Sequence, residues 1–258
     1  MKKTISFYGA LLLMFIHIST FAQKGKLDFN LTYSSQQSKM SVINEFLHDQ
    51  NFEKATLFTE NSYLQKCNKI QGQIDYQCAK YINLGVFTSY QNTGLIVNHQ
   101  FFVFDPVENS TTKYAYDYQL MANNISCGIS YSILYHEIFN FRNKSNFLKR
   151  CIIKNVFNWG LAFSTLRSAQ IGIMPMKYEL NEFDFRSMHL NGDISVNLNY
   201  ELINKIFLSS VGIRFGYQFN KSGIIKNIIG QTLLLSNDRS VNLDFSGVYL
   251  GLNFSIGK

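Results

Sequence analysis

The chain reads as an all-β protein, an antiparallel transmembrane β-barrel of eight to ten strands, with ten the preferred count. Three observations predict this. Segment after segment alternates apolar and polar residues with period two. The polar parity of these segments is rich in Gly, Ser, Asn and Ala and poor in Lys and Glu. Aromatic residues reach 15% while charged residues stay at 16%, with 23 Phe, 15 Tyr and one Trp. A water-facing sheet surface carries more charge than this. An apolar outer band with aromatic girdles around an uncharged polar interior has this balance.

The N-terminus is the first element. Met1-Lys2-Lys3 is a short positive region, and an apolar run follows from Ile5 to Ile18, broken by Ser6, Gly9 and His17. Ser19, Thr20, Phe21, Ala22 and Gln23 come next, with Thr20 and Ala22 small enough for the −3 and −1 positions of a signal-peptidase site. This pattern predicts a Sec signal peptide over 1–22, cleaved after Ala22. Residues 23–258 are then expected to form a single β-barrel domain, a size that all-β barrels reach undivided. The alternative, an uncleaved N-terminal anchor, is disfavoured by the shortness of the apolar run. No Cys follows the cleavage site to anchor a lipid.

The strands follow in order. Leu27 to Tyr33 is a weak candidate. From about Ser38 to Gln65 the alternation stops; Val42, Ile43, Phe46 and Leu47 have helical spacing and predict a long loop carrying a short helix. Ile82, Leu84, Val86, Thr88 and Tyr90 alternate with Asn83, Gly85 and Ser89, with Phe87 out of place. Gln91-Asn92-Thr93-Gly94 reads as a turn, followed by weaker strands over Leu95–Phe104 and Lys113–Leu120 and a second turn at Ala122-Asn123-Asn124. Ile125, Cys127, Ile129, Tyr131, Ile133 and Tyr135 alternate with Ser126, Gly128, Ser130 and Ser132. Phe157, Trp159, Leu161 and Phe163 alternate with Asn158, Gly160, Ala162 and Ser164. Phe139–Lys149 and Met176–Asn191 are read as connections.

The clearest pair comes last. Ile194, Val196, Leu198, Tyr200 and Leu202 alternate with Ser195, Asn197, Asn199 and Glu201. Phe207, Ser209, Val211, Ile213, Phe215, Tyr217 and Phe219 alternate with Leu208, Ser210, Gly212, Arg214, Gly216, Gln218 and Asn220. A tight turn at Asn204-Lys205 would pair Leu202 with Phe207 and Leu198 with Val211, placing every apolar residue on one face. After a connection over Asn220–Asp244, Val248, Leu250, Leu252, Phe254 and Ile256 alternate with Tyr249, Gly251, Asn253, Ser255 and Gly257. Short turns at one end and long connections at the other suit periplasmic and external ends.

This chain resembles the small outer-membrane β-barrel proteins of Gram-negative bacteria, in particular the porin-like and OmpX/OmpW-like barrels of Bacteroidota. The signal ending Ser19-Thr20-Phe21-Ala22-Gln23 and the final strand Val248–Ile256 carry the likeness. The resemblance implies insertion among outer-membrane lipids and delivery by the barrel-assembly machinery through the C-terminal strand. Many such proteins end on an aromatic residue, whereas this chain ends Ile256-Gly257-Lys258, with Phe254 the nearest aromatic.

Candidate functional residues follow from the parities. Arg214, Asp193, Glu201 and Asp117 fall on polar parities and would point into a narrow barrel, where charges must pair. They suggest either a charged constriction or a structural network that plugs the lumen; an eight- to ten-stranded barrel is ordinarily filled by side chains. Tyr90, Tyr131, Tyr135, Tyr200 and Tyr217 read as interface anchors. Cys67 and Cys78, both in polar, loop-like sequence of an exported chain, are the expected disulfide, while Cys127 reads as a small hydrophobe.

The function expected is structural, surface-interacting or that of a narrow channel. The alternatives are a soluble exported β-barrel or sandwich that binds an apolar ligand or a partner, and an outer-membrane acyl-transfer or lipid-modifying enzyme. The last would use His189 or His48, which lie near Asp193 and Asp49 in connections expected to be external. No Gly-x-Ser-x-Gly turn nominates a nucleophile. His136-Glu137, adjacent on an expected strand, would face opposite ways. No His-Glu-x-x-His, Cys-x-x-Cys or phosphate-binding glycine loop is present, so no metal or cofactor is expected. The net charge, near +5 after signal loss and without a basic run, argues against nucleic acid.

Overall fold

A computed structural model describes residues 27–46, 64–140, 147–174, 178–202, 208–235 and 237–257, with the side chains of 97–105, 113–118, 170–183 and 257 outside the description. The expected signal peptide, Leu47, His48, Asp49 and the Asn204-Lys205 turn lie outside the described residues. Eight strands form one closed ring in chain order: β1 (Leu27–Ser38), β2 (Lys66–Ala79), β3 (Ile82–Asp105), β4 (Ser110–Leu134), β5 (Cys151–Met174), β6 (Tyr178–Glu201), β7 (Ser210–Phe219) and β8 (Gly247–Gly257). Every neighbouring pair is antiparallel, and β8 returns to β1 from Asp28↔Gly257 to Ser38↔Gly247. Closure removes the unpaired edges that an open sheet would expose.

The burial pattern is inverted relative to a water-soluble barrel. On β1, Asn30, Thr32, Ser34, Gln36 and Ser38 are buried while Leu31 and Tyr33 are about half exposed. The same holds around the ring, where Ile129, Trp159, Leu198, Phe215 and Leu250 stand on the outer wall. Such a wall is stable only against lipid, which rules out the soluble alternative. No described helix is long and apolar enough to cross a membrane; the chain crosses with strands. β1, β2, β7 and β8 have 10 to 14 residues, near the length a tilted spanning strand needs.

The two ends differ. At one end, the β2–β3 connection is a tight turn, the β4–β5 connection carries a short helix (Tyr135–Ile138), and the termini meet. This is the periplasmic end. Aromatic pairs belt it: Tyr131–Phe157, Tyr135–Phe139 and Phe147–Tyr200 have ring centroids 5.6–6.2 Å apart. Tyr217 and Phe219 stack edge-on at 4.7 Å toward the other end. There β2 stops pairing with β3 at Asn92. β3–β4 continues to Asp105↔Ser110, and β5–β6 to Gly172↔Tyr178. These four strands leave the barrel as one sheet, projecting roughly 40 Å at the usual rise per residue.

Several expectations are corrected. The preferred count of ten gives way to eight, because Gln91–Gly94 and Ala122–Asn124 lie within continuous strands and are not turns. Gln91 and Asn124 are polar because they face the lumen. Met176–Asn191 is largely strand β6. β2 was hidden because its inner parity is Cys67, Lys69, Gln71, Gln73 and Asp75, a sequence that resembles a polar loop. The β6–β7 register is two residues from the expected one: Leu198 pairs with Ile213 and Tyr200 with Val211. A shift of two keeps every side chain on its face, so the apolar parity could not detect it. Residues 41–46 are helical, as Val42, Ile43 and Phe46 suggested.

Glycines set the narrowness of the ring. Gly128 and Gly160 oppose each other across β4 and β5, and a Cβ on either would lie 2.0–2.1 Å from the carbonyl oxygen of Trp159 or Cys127. Outside, the Trp159 indole covers Gly192, its strand partner, closing the gap in the wall.

Two loops cover the outer mouth. Lys39 N donates to Ser246 O at 3.1 Å and Met40 N to Asp244 O at 3.2 Å. Met40, Ile43, Phe46, Leu64, Ile225, Leu235, Val241, Leu243 and Phe245 form one buried apolar cluster with Leu120, Ala122, Leu166 and Phe185 of the strands. Asn44 stitches the first loop by exchanging two hydrogen bonds with the Leu64 backbone, and an Arg239–Glu45 ion pair joins the loops outside.

Ile129 sits midway along the outer wall, 67% exposed. Replacing it with Arg is expected to lower folding stability in a bilayer by about 2–4 kcal/mol, read from urea titration in vesicles, with the folded fraction followed by its gel mobility before boiling.

Candidate functional site

The interior is a candidate site because it gathers most of the buried charge of the described chain. Its centre is Asp193 on β6. Arg214 Nη2 donates to Asp193 Oδ1 at 2.9 Å, and Lys69 Nζ donates to Oδ2 at 3.0 Å. Tyr249 Oη donates to Oδ1 at 2.9 Å, and Asn158 Nδ2 to the same oxygen at 3.3 Å. Arg214 is further held by Ser195 Oγ at 2.9 Å and Gln73 Oε1 at 3.3 Å. The Lys69 ammonium lies 4.4 Å from the Tyr249 ring centroid. Arg214, Lys69 and Asp193 are each at most 2% exposed, so each charge depends on these partners for its solvation.

Two further levels flank the centre. Toward the outside, Gln91 and Gln218 exchange hydrogen bonds at 2.9 and 3.0 Å, and Gln91 also reaches Asn124 and Asn220. Toward the periplasm, Lys154 Nζ lies 3.3 Å from Asp28, 3.6 Å from Asp75 and 3.1 Å from Asn30 Oδ1. Gln73 Nε2 donates to both Asp75 oxygens at 2.9 Å and so links the lower level to the centre.

The ring order gives these contacts their meaning. β2 and β6, β3 and β7, and β1 and β5 are each four strands apart in an eight-stranded ring and therefore face each other. Lys69–Asp193, Gln91–Gln218 and Lys154–Asp28 join these opposite walls. The lumen is bridged across its full width at three heights.

The residues singled out from the sequence separate into two groups. Arg214 and Asp193 meet directly. In the observed register Arg214 pairs with Asn197 in the ladder, and it reaches Asp193 along the strand. Glu201 lies at the periplasmic end of β6, paired with Ser210 and roughly 26 Å along the strand from Asp193. Asp117 pairs with Asn98 and Ile171 on the sheet beyond the barrel, so it does not belong to the lumen. The expected Cys67–Cys78 disulfide is overturned: both lie on β2, more than roughly 30 Å apart at the rise of an extended strand, and all four described cysteines are free. Cys67 is buried, with its Sγ 3.0 Å from Ser38 Oγ. Cys127 faces outward on the wall.

Sequence reading missed Lys69, Asp75, Lys154 and Tyr249 as members of this network. The signal for Lys69 and Asp75 was the unbroken alternation of Lys69, Gln71, Gln73 and Asp75. Tyr249 stood out as the one aromatic on the small, polar parity of β8. It fits because Gly216 faces it, where a Cβ would lie 2.8 Å from its ring.

The histidines offer no nucleophile dyad among the described residues. His189 Nε2 is 2.5 Å from Asn220 Oδ1. No serine hydroxyl is among its described hydrogen-bond partners. His136 and Glu137 do approach, at 3.7 Å, because they sit on the helical turn after β4 and not on a strand. No group of three or more His, Cys, Asp and Glu side chains suited to a metal is found among the described residues.

A bridged polar lumen inside an apolar, aromatic-belted wall defines an integral outer-membrane β-barrel protein. No protein-family model matches the chain, and no curated protein does. Among solved structures it is similar to Ail, the attachment invasion locus protein of Yersinia pestis, in complex with the heparin analogue sucrose octasulfate. That likeness has 9% identity and a TM-score of 0.35 and covers 91% of this chain and 100% of that one. Neisserial surface protein A is similar at 7% identity and a TM-score of 0.38, over 89% and 96%. A major outer membrane protein from Thermus thermophilus is similar at 10% identity and a TM-score of 0.39, over 89% and 99%. These are likenesses of a small barrel fold; the class follows from the wall and lumen of this chain.

Asp193→Ala would leave Arg214 and Lys69 buried together without their shared carboxylate. Its expected destabilisation is about 3–5 kcal/mol by urea titration in vesicles. In thiol labelling of folded protein, Cys78 should react with a maleimide and Cys67 should not until the protein is unfolded, with no mobility change between reducing and non-reducing gels.

Proposed function

We propose that the protein is a closed structural and surface-interaction barrel of the outer membrane that conducts no solute. The observation that carries this reading is the bridged lumen: Lys69–Asp193 and Gln91–Gln218 tie opposite walls with side chains that are at most 2% exposed. The apolar cap over the outer mouth supports it further. With the interior used for stability, the surface left for recognition is the external one, made of the projecting β3–β6 sheet and the loop over 220–246. Its tip is ordered: Asn227 Oδ1 accepts from the backbone of Ile229 and Gln231 at 3.1 and 2.8 Å, and Ile228 and Ile229 stand exposed on it. A rigid apolar tip binds a partner at lower entropic cost than a mobile one.

The same reading has a biogenesis side. Residues 1–22 direct Sec export and are removed, 23–258 form one domain, and β8, which closes the ring against β1, is the strand presented to the barrel-assembly machinery. A non-enzymatic role is favoured by the pairing of His189 with Asn220.

Planar-bilayer recordings test the channel question. The folded wild type, verified by its mobility shift on boiling, should give no discrete conductance steps. Stable steps from wild type would refute the closed-barrel reading and make Lys69, Asp193 and Arg214 a constriction.

A further inference from the structure

We infer that the lower lumen is an autocatalytic site that joins the Lys154 side chain to the Asn30 side chain by an amide bond, with loss of ammonia. Such a reaction needs an amine beside a carboxamide and a donor to the carbonyl oxygen, where charge develops. It also needs a carboxyl group that touches both the amine and the leaving nitrogen and can move protons between them. The level of Lys154 holds all of these. Lys154 Nζ lies 3.1 Å from Asn30 Oδ1. Asn30 Cγ is one bond beyond that oxygen, and attack takes place from about 3–3.5 Å. Ser255 Oγ donates to the same oxygen at 2.7 Å and itself accepts from Asn199 Nδ2 at 3.2 Å, which aims its hydrogen at Asn30. Asp75 Oδ2 is 3.6 Å from Lys154 Nζ and accepts from Asn30 Nδ2 at 3.3 Å. Lys154, Asn30, Asp75 and Ser255 are each at most 4% exposed.

The ring assembles these groups from four strands. Asn30 on β1 pairs with Ser255 in the β1–β8 ladder and with Gln73, two residues from Asp75, in the β1–β2 ladder. Lys154 reaches them from β5, on the opposite wall. Asp28 Oδ2, 3.3 Å from Nζ, helps to hold the amine in place. The other lumen lysine lacks this arrangement. Lys69 Nζ also touches an amide oxygen, Gln218 Oε1, at 3.0 Å. The nitrogen of that amide donates to Gln91 and Asn191 and has no described bond to Asp193, so no carboxylate links amine and leaving group there.

The steps balance without an oxidant or a co-reactant. Asp75 takes a proton from the Lys154 ammonium, which leaves two neutral groups where two buried ions stood. The amine lone pair attacks Asn30 Cγ; the N–C bond forms and the carbonyl electron pair moves onto Oδ1, held by the Ser255 hydroxyl. Asp75 then gives its proton to Asn30 Nδ2 and takes one from Nζ. The Cγ–Nδ2 bond breaks, the carbonyl re-forms and ammonia departs. An ammonium, a carboxylate and a carboxamide become a secondary amide, a carboxylic acid and ammonia. The lumen loses one cation and one anion together, so its net charge is unchanged. The product is a covalent tie between β1 and β5.

The test is intact-mass and peptide mass spectrometry of the full-length protein, followed over time after refolding from urea into micelles. The wild type should become lighter by one ammonia, about 17 Da, and digestion should yield one branched peptide containing Asn30 and Lys154. After boiling, the bonded chain carries a closed loop and should run ahead of Lys154→Gln on a gel. Lys154→Gln and Asp75→Asn should keep their full mass, and Ser255→Ala should form the bond about a hundredfold more slowly. The mobility difference between unheated and boiled samples confirms the fold of each variant. Folded wild type that keeps its full mass, or whose two peptides are recovered separately, overturns the bond. A loss of ammonia that persists in Lys154→Gln, or maps to Asn191-Gly192, also overturns it. A bond that forms unchanged in folded Asp75→Asn overturns the proton transfer assigned to that carboxyl, and an unchanged rate in Ser255→Ala overturns the role of the hydroxyl. Conductance steps from the wild type would refute the closed lumen and leave these outcomes as they stand.

Discussion

An eight-stranded ring encloses a space that side chains can fill, and in a membrane that space must be polar because the wall outside is apolar. The tie between Lys69 and Asp193, from β2 to the opposite strand β6, is the interaction on which the rest of the interior is arranged. A single carboxylate serves two cations, Lys69 and Arg214, so its net partner charge is one unit in excess. The lower level offsets this, where Lys154 meets two carboxylates, Asp75 and Asp28. Gln73, bonded to both Arg214 and Asp75, carries the contact between the two levels. Neutrality is reached over the whole lumen and not pair by pair, which makes the network one unit energetically.

This constraint explains features of the wall that otherwise look unrelated. Tyr249 must enter the lumen to donate to Asp193, and it finds room only because β7 carries Gly216 opposite its ring. Gly128 and Gly160 allow β4 and β5 to approach where any side chain would meet backbone. The small parity of the strands is therefore the negative image of a few large polar side chains, and it is also the reason the polar faces carry so little charge per residue.

What was legible in the sequence follows the same division. The outer wall was readable because lipid demands apolar side chains at every second position: the β5, β7 and β8 alternations predicted strands that exist. β2 was not readable, because its inner face bears Lys69, Gln71, Gln73 and Asp75 and its outer face adds Lys66 and Asn68. A strand whose polar side chains fill the lumen looks like a loop to any rule based on alternation with apolar residues. The same cause cut β3 at Gln91 and β4 at Asn124, and those two false turns inflated the strand count. The register error at β6–β7 was of another kind. Period two leaves a two-residue slip invisible, and the turn that joins the two strands lies outside the described residues.

The distribution of function follows from the distribution of satisfied groups. Inside, the large charged side chains already hold one another, and a solute would have to replace bonds such as Lys69–Asp193 at the full desolvation penalty of each ion. At the outer mouth, Met40, Ile43, Leu243 and Phe245 are packed together, so the cap has no apolar surface left over at its centre. Outside the lipid band, two isoleucines, Ile228 and Ile229, stand exposed on the 227–230 turn. A barrel of this size that has spent its interior on closure can act only through such peripheral groups. They lie at the external end, in the space beyond the membrane.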